Sequence, residues 1–347
     1  MIRFPIADVT EFGPAEDGPV VWVDARQGPS GAEAYAASHV VGAVHVDLER
    51  DLSGDTAHPE RGGRHPLPSV EVWCARLGAM GIGPESTVLV YDDKGGANAA
   101  ARFWWMLRAV GHARVAIVDG GWAAIEAARI ACTGERTNPV VQGAYPANAW
   151  LRPVVDADAV ARATEDASCF VLDVREGDRF RGEREPVDPV AGHIPGAHNL
   201  YFGENLGADG RFKSADALRV QYESLFGGVP MDRVTLHCGS GVTACHTLAA
   251  LERAGFDGAS LYVGSWSEWC RSDRPRVTKY RRIHARFCAC PRARAAVVRE
   301  CLARASTRRA PGVYPRRPRP WTMRFPCFST SRVVSPTRSD SRIHFRM

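Results

Sequence analysis

The sequence lacks the long apolar runs of membrane proteins. No stretch of about eighteen or more apolar residues occurs among its 347 residues, so no transmembrane helix is predicted. Residues 1–12 contain no basic segment followed by an apolar stretch, so no secretory signal is predicted either. These absences predict a cytoplasmic protein without a membrane partner.

The chain also lacks the cysteine spacing of zinc sites and of small disulfide-bonded domains. Its ten cysteines include no C-x2-C pair. So few cysteines in so long a chain suit a reducing compartment better than a disulfide framework. The sequence therefore predicts no metal site, and no organic cofactor is expected.

Lysine is scarce, and the positive charge lies almost entirely in one place. Residues 271–347 contain twenty Arg and one Lys against three acidic residues, a balance of +18. The whole chain carries +5, which leaves −13 for residues 1–270, where only Lys94 and Lys213 occur. The Arg/Pro/Ser-rich tail, residues 276–347, is predicted to be disordered or to result from a reading-frame change. A basic tail could also bind nucleic acid, but only non-specifically.

The acidic body repeats itself. Residues 20–54, VVWVDARQG…SHVVGAVHVDLERDLSG, match residues 170–207, FVLDVREGDRF…GHIPGAHNLYFGENLG, and residues 87–125 match residues 234–269. Each copy alternates strand and helix patterns, which predicts an α/β fold of mainly parallel sheets with helices on both faces. A period of about 150 residues indicates two whole domains in tandem rather than a solenoid.

The predicted organisation is two domains followed by the tail. The domains are residues 1–137 and 154–275, and the segment between them, residues 138–153, is predicted to be a linker. The linker prediction depends on TNPVVQGAYPANAWLRP, which contains Pro, Gly and Asn without apolar periodicity. A length of 347 residues fits two domains plus an extension.

The strongest candidate nucleophile lies in HCGSGVTAC, residues 237–245. Cys238 falls on a Gly-rich turn between a strand pattern and a helical pattern, where backbone N–H groups and the helix dipole stabilise an anion. The thiolate is the form of cysteine that attacks. Gly239 and Gly241 are expected to allow the backbone angles that turn successive N–H groups toward the sulfur. The first copy has Asp92 at this position. Its carboxylate would itself occupy the cradle, that is, the anion site formed by the backbone N–H groups of the turn.

Over residues 5–275 the sequence resembles a tandem-domain rhodanese-type sulfurtransferase. The motifs that carry this resemblance are DVREGDRFRGE, PVAGHIPGA, CGSGVTAC and GSWSEW, with the degenerate counterparts DAR, SHVVGAVH and DGGW in the first copy. The loop CGSGVT resembles the 3-mercaptopyruvate sulfurtransferase branch, whereas thiosulfate-preferring relatives tend to have basic residues after the cysteine. The resemblance implies that the first, non-catalytic domain forms one wall of a cleft opposite Cys238.

The resemblance also implies an activity. Sulfur would pass from 3-mercaptopyruvate or thiosulfate to Cys238 as a persulfide, and then to a thiophilic acceptor such as cyanide, a thiol or thioredoxin. A Ser-His-acid relay would protonate the leaving group. The matching residues are Ser240 and His65, with Glu49 as the acid and Asp51 or Asp47 as alternatives.

A substrate-binding arginine is implied as well. Arg179 matches it, and Arg181 and Arg184 are nearby alternates. The second arginine often found in the 3-mercaptopyruvate branch is absent, because Val187 follows the Glu-Pro step; donor preference therefore stays open. The other predicted substrate-binding residues belong to the loop: Gly239, Gly241, Val242 and Thr243.

The sequence also argues against two rival functions and gives one nearby arginine a structural role. Arg175 is expected to pair with Asp173 as structural support. A cysteine phosphatase would need an arginine closing a C-x5-R loop, where this chain has Ala244, and a serine hydrolase centred on Ser240 lacks the G-x-S-x-G elbow. Two alternatives remain: a thiosulfate-preferring rhodanese, and a non-enzymatic protein that binds RNA or acidic proteins through its tail.

Overall fold

The computed structural model describes residues 5–11 and 18–278. From position 279 onward the basic tail lies outside the described residues, so the predictions made for it stay predictions. Within the described part, no helix is long and apolar enough to cross a membrane.

The N-terminal half is built on a parallel sheet. Its strands are β1 (Ile6–Ala7), β2 (Val20–Asp24), β4 (Val44–His45), β5 (Thr87–Tyr91) and β6 (Val115–Val118), while β3 (His39–Val40) and β7 (Cys132–Thr133) form a separate antiparallel pair. The strand order in the main sheet is β1-β6-β5-β2-β4, and every neighbouring pair is parallel. The helices are α1 (Pro29–Ala37), α2 (Val70–Ala79), α3 (Ala99–Ala109) and α4 (Gly121–Ala127).

The C-terminal half repeats this plan. Its strands are β8 (Val154–Val155), β9 (Phe170–Asp173), β10 (His198–Asn199), β11 (Val234–His237) and β12 (Ser260–Tyr262). They form a parallel sheet in the order β8-β12-β11-β9-β10, which is the order of the first sheet strand for strand. The helices are α5 (Ala157–Glu165), α6 (Gly177–Phe180), α7 (Ala215–Phe226), α8 (Thr243–Arg253) and α9 (Ser265–Trp269). The predicted tandem α/β repeat is confirmed.

Successive residues of the central strands face opposite sides of each sheet, and both sides are covered by helices. In β5, Val88 and Val90 belong to the hydrophobic cluster that includes α2 and α3. Leu89 and Tyr91, between and after them, belong to the cluster that includes α4. A strand buried on both faces has a continuous apolar sequence, and β5 has one in TVLVY. The prediction of helices on both faces is therefore confirmed.

Helices α3 and α8 join the two halves. They pack against each other, and one hydrophobic cluster contains buried residues from both. At the edge of this contact Arg108 Nη2 donates to Glu252 Oε1 across 3.0 Å. Helix α8, which follows the loop of the candidate nucleophile, is thereby held against the N-terminal half.

The predicted linker contains no helix or strand in the described structure, and it lies along the N-terminal half. Gln142 N donates to Gly78 O across 2.9 Å, and Tyr145 N donates to Cys74 O across 2.9 Å. The boundaries at residues 137, 153 and 275 stay predictions.

The turn between β5 and α3 is built around one buried carboxylate. Asp92 Oδ1 accepts from Lys94 N at 2.9 Å and Gly96 N at 2.8 Å. Asp92 Oδ2 accepts from Asn98 N at 3.2 Å and Ala100 N at 3.4 Å. The Asp92 carboxylate thus occupies the N–H cradle of the first domain, as expected from its position.

We expect Asp92→Ala to destabilise the protein strongly, because it leaves four N–H groups without their acceptor inside the fold. The free energy of unfolding should fall by about 3 kcal/mol, measured by urea denaturation. The neighbouring Asp93 is a matched control, since its side chain is 45% exposed and pairs with the exposed Lys94. Asp93→Ala should change the free energy by less than about 0.5 kcal/mol. Equal effects of the two substitutions would contradict this account of the turn.

Candidate active site

Cys238 directly follows β11 and is 2% exposed. Two hydrogen bonds hold its backbone against the turn that begins α9: Cys238 N donates to Ser265 Oγ at 3.1 Å, and Cys238 O accepts from Trp266 N at 3.0 Å. The cysteine is therefore part of a rigid loop.

The loop after Cys238 presents a row of backbone N–H groups. Within residues 5–11 and 18–278, no protein acceptor bonds the N–H groups of residues 239–244, and no side chain caps the start of α8 at Thr243. The corresponding N–H groups of the first domain are bonded by Asp92. The loop thus offers donors and a helix dipole to an anion that forms at the Cys238 sulfur.

The two loop glycines are needed for different reasons. Gly241 has a φ of +73°, and a Cβ there would lie 2.6 Å from Val263 O, so its backbone requires glycine as expected. Gly239 does not have a positive φ, so the expectation that its backbone angles exclude other residues was wrong. A Cβ on Gly239 would instead lie 3.2 Å from Arg64 Nη2 and 3.6 Å from Arg179 Nη2. A side chain at this position would contact both guanidinium groups, and Arg64 would have to move slightly.

The fold brings together the three residues of the predicted relay. His65 Nδ1 lies 2.7 Å from Ser240 Oγ, and His65 Nε2 lies 2.8 Å from Glu49 Oε1. The ionised Glu49 carboxylate accepts from Nε2–H, which leaves Nδ1 to accept from the Ser240 hydroxyl. His65 and Glu49 come from the first half and Ser240 from the second, so the chain of hydrogen bonds crosses between the halves.

The alternative acids are bonded elsewhere. Asp51 pairs with Arg50 at 2.6 Å and lines a cavity of about 390 Å³ in the N-terminal half. Asp47 Oδ1 accepts from Arg50 N at 2.8 Å. Of the three carboxylates, only Glu49 contacts His65 among the described residues.

His65 is held in its neutral form. Burial lowers the pKa of His65, and the charges of Arg64 and Arg102 lower it further, while Glu49 opposes both effects. A neutral imidazole at physiological pH can accept a proton from one side and pass it on.

Arg179 is the candidate substrate arginine that the fold brings to the loop. Its Nη2 lies 2.7 Å from Glu185 Oε1, and its side chain is 12% exposed. The alternates Arg181 and Arg184 are exposed and pair with acidic residues of their own loop, at 2.8 and 2.7 Å. Val187 is 53% exposed and contributes no charge.

The expected structural ion pair is present. Arg175 Nη2 lies 2.6 Å from Asp173 Oδ2, and Arg26 makes the same 2.6 Å contact with Asp24 in the first half. The repetition of this pair at the end of equivalent strands shows that it belongs to the fold.

Arg102 is a residue of the site that the sequence analysis missed. It is fully buried in α3, where Nη1 donates to Gly241 O at 3.2 Å and Nη2 donates to His65 O at 3.0 Å. One guanidinium thus bonds both the cysteine loop and the relay histidine. The signal in the sequence was a single charge inside the apolar run AAARFWWML.

The buried Arg102 charge has no carboxylate partner in the described part of the chain. Burial lowers the pKa of Arg102, and the nearby sulfurs of Cys245 and Cys238 act against that effect. Burial also raises the pKa of Cys245 to about 12, so this thiol stays protonated. A negative charge on the Cys238 sulfur is the remaining partner that would compensate the Arg102 guanidinium.

Arg64 was also missed, although it precedes His65 in the sequence. Its backbone N donates to Ser267 Oγ at 3.0 Å, and its guanidinium pairs with Asp188. Both contacts reach the second half of the chain. The described residues include no cluster of three or more His, Cys, Asp or Glu side chains arranged to hold a metal ion.

The sequence matches known proteins over most of its length. Residues 13–128 and 156–272 each match the rhodanese-like domain. A Pseudomonas aeruginosa protein named "Probable 3-mercaptopyruvate sulfurtransferase" is 44% identical over 252 residues, which cover 72% of this chain and 88% of that protein. A Mycobacterium tuberculosis protein named "Putative thiosulfate sulfurtransferase SseB" is 40% identical over 244 residues, covering 70% and 83%. The solved 3-mercaptopyruvate sulfurtransferase from Leishmania major superposes with a TM-score of 0.67 at 29% identity, covering 77% and 74%.

We expect Arg102→Met to reduce the reactivity of Cys238. Methionine removes the positive charge next to the sulfur, and it also leaves the Gly241 and His65 carbonyls without their donor, so the free energy of unfolding is measured alongside. Alkylation of Cys238 by iodoacetamide at pH 7, followed by mass spectrometry of its peptide, should slow about tenfold, equivalent to about 1.4 kcal/mol.

Arg108→Met is the matched control, because Arg108 lies on the same helix and contacts α8 but not the loop. It should leave the alkylation rate unchanged. If both variants react at the wild-type rate, or if both slow equally, Arg102 has no specific effect on Cys238.

Proposed function

This chain belongs to the family of proteins built from rhodanese-like domains, and from that premise we propose that it is a sulfurtransferase whose donor is 3-mercaptopyruvate. Sulfur transfer is the activity named for its relatives. The donor and the roles of individual residues are our inference from the site.

The observation that carries the choice of donor is the Glu49–His65–Ser240 chain of hydrogen bonds beside Cys238. When sulfur leaves 3-mercaptopyruvate, the departing carbon fragment is an enolate that must gain a proton. Thiosulfate releases sulfite, which is stable as an anion and needs no proton. A neutral histidine connected to a hydroxyl is therefore useful for the first donor and unnecessary for the second.

The first half-reaction forms a persulfide. The Cys238 thiolate attacks the sulfur of 3-mercaptopyruvate, an S–S bond forms, and the C–S bond breaks with its electron pair going to carbon. The thiol proton of the donor passes to the Ser240–His65 pair as its sulfur becomes the outer atom of the persulfide. The same pair returns a proton to the enolate carbon, so the products are pyruvate and the Cys238 persulfide anion. Glu49 holds His65 in the tautomer that this transfer requires.

The loop N–H groups serve both states of the cysteine. The thiolate and the persulfide each carry negative charge, and the donors of residues 239–244 and the Arg102 guanidinium favour that charge. In the second half-reaction a thiophilic acceptor attacks the outer sulfur, which breaks the S–S bond and restores the Cys238 thiolate. Cyanide would leave as thiocyanate, and a thiol or a thioredoxin-like protein would leave as its own persulfide.

A thiosulfate-preferring enzyme is the second candidate, and the name of the Mycobacterium tuberculosis relative favours it. Against it, Gly239 and Ser240 follow the cysteine where thiosulfate-preferring relatives tend to have basic residues. Arg179 would suit either donor, because both are anions.

Steady-state kinetics with cyanide as acceptor test the activity. We expect turnover with 3-mercaptopyruvate to exceed that with thiosulfate, and Cys238→Ser to lose both by at least about a thousandfold. The wild type incubated with donor alone should gain one sulfur atom on the Cys238 peptide. Cys169→Ser, which changes a partly exposed cysteine outside the site, is the control and should keep full activity.

Turnover that survives in Cys238→Ser would overturn the persulfide mechanism. A strong preference for thiosulfate would overturn only the choice of donor.

The pH dependence tests the relay. Activity should fall on acidification through the pKa of His65, because the protonated imidazole cannot accept from Ser240. The Glu49 carboxylate raises that pKa, so Glu49→Gln should move the acid limb of kcat/KM for 3-mercaptopyruvate to lower pH. The same variant should lower kcat about tenfold or more, because the tautomer is no longer held.

Asp51→Asn is the control, since Asp51 is a neighbouring carboxylate that does not contact His65. It should leave the acid limb in place. If the acid limb of kcat/KM moves in Asp51→Asn and stays in place in Glu49→Gln, the carboxylate of the relay is Asp51 instead.

A further inference from the structure

The cavity in the N-terminal half has no role in the sulfur transfer proposed above. Its volume of about 390 Å³ lies within the range of small-molecule sites. The walls come from α1, β4 and α2, from the loop between β4 and α2, and from the segment after β7. Among the described residues, those that line it include no member of the cysteine loop, residues 237–245, and no member of the relay. The cavity is therefore a separate site.

Three arginines line this cavity, and only one of them has a carboxylate partner. Arg50 Nη2 lies 2.6 Å from Asp51 Oδ2, and Arg50 Nε donates to Asp51 Oδ1 at 2.9 Å. Arg76 Nη1 donates to two carbonyl oxygens instead, Asp51 O at 2.8 Å and Ser53 O at 3.1 Å. Arg136 is exposed and has no hydrogen-bond or ion-pair partner among the described residues. Two positive charges are thus left without a carboxylate within that part of the chain.

The fold concentrates these charges in one concave place. Arg50 and Arg76 both bond Asp51, one through its carboxylate and the other through its carbonyl, so their guanidinium groups approach the same residue. Arg136 reaches the cavity from the segment after β7. Guanidinium groups that line one cavity repel each other, and a bound anion removes that repulsion. The cavity therefore favours a ligand that carries more than one negative charge.

Another part of the cavity wall is apolar and held in place. The ring of Tyr35 stacks on His39 with centroids 3.8 Å apart, and its hydroxyl donates to Ala43 O at 2.8 Å. Val44 and Met80 add aliphatic surface to the same cavity. Because both ends of the Tyr35 side chain are fixed, its ring offers a ready surface for an aromatic group. A suitable ligand combines an anionic group with an apolar body.

We propose that this cavity binds a small phosphate monoester with an aromatic body. Such a phosphate carries about −1.5 to −2 charges at pH 7 and offers three acceptor oxygens. One compact group can therefore compensate both Arg76 and Arg136, each of which has a planar set of N–H donors. A carboxylate brings a single charge and two oxygens, which is less than the site can use. The aromatic body lies against Tyr35. This site does not depend on the sulfur transfer proposed above.

Isothermal titration calorimetry of the full chain at pH 7 and fixed ionic strength tests the ligand class, with phenyl phosphate as the probe. Phenyl phosphate should bind with a dissociation constant of about 1 mM or lower. Inorganic phosphate lacks the ring and benzoate lacks the second charge, so each should bind at least about tenfold more weakly, equivalent to about 1.4 kcal/mol. No binding of phenyl phosphate, or equal binding of the three anions, would overturn the proposal.

Three variants locate the bound phosphate, since the arginines of residues 279–347 could also attract anions. Arg76→Met and Arg136→Met each remove one uncompensated charge from the cavity and should each raise the dissociation constant of phenyl phosphate about tenfold. Arg136 is exposed, so its variant should fold even if Arg76→Met does not. Arg61→Met removes an exposed arginine that does not line the cavity, and it should bind like the wild type. If Arg136→Met also binds like the wild type, the proposal is wrong.

Alkylation of Cys238 distinguishes this cavity from the candidate active site. Phenyl phosphate at a concentration that saturates the cavity should leave the rate of reaction with iodoacetamide unchanged. Arg179→Met should likewise leave the dissociation constant of phenyl phosphate unchanged, because neither Cys238 nor Arg179 lines the cavity. If phenyl phosphate protects Cys238 and Arg179→Met weakens its binding, the anion occupies the active site and the proposal is wrong. These measurements require no turnover, so their failure is distinct from failure of the proposed function.

Discussion

The active-site arrangement depends on one buried guanidinium at the contact between α3 and α8. Arg102 donates to the carbonyl of Gly241 in the cysteine loop and to the carbonyl of His65. A fully buried arginine without a carboxylate partner is costly, and its two carbonyl acceptors, one from each half, offset part of that cost. The same contact therefore holds the nucleophile, the relay histidine and a positive charge in one place.

The two halves show how a single side chain changes the chemistry of a common turn. After the fourth strand of each parallel sheet in sequence order, β5 and β11, a loop leads into a helix, and its N–H groups point to an anion. In the first half the Asp92 carboxylate bonds four of them, which makes a stable and inert turn. In the second half Cys238 stands at that position and the donors stay unbonded by protein acceptors within the described residues. The fold supplies the cradle twice, and the residue at its centre decides whether the turn can react.

Much of the fold could be predicted, because its signals are local. The apolar run of β5 and the spacing of the two copies indicated parallel sheets with helices on both faces. The backbone requirement at Gly241 could also be anticipated, since it follows from the turn itself. The close approach of Arg64 to Gly239 could not, because the two residues are distant in sequence.

The sequence by itself determined the tandem α/β architecture and singled out Cys238, because strand and helix patterns and the motif around the cysteine are short-range properties. Only the tertiary structure decided which of three nearby carboxylates contacts His65, and only it brought Arg64 and Arg102 to the cysteine loop. The Glu49–His65 contact joins two separate loops of the first half, while the approach of Arg64 and Arg102 to the cysteine loop depends on how the two halves pack. No pattern within either half encodes that packing, so no motif could have revealed it.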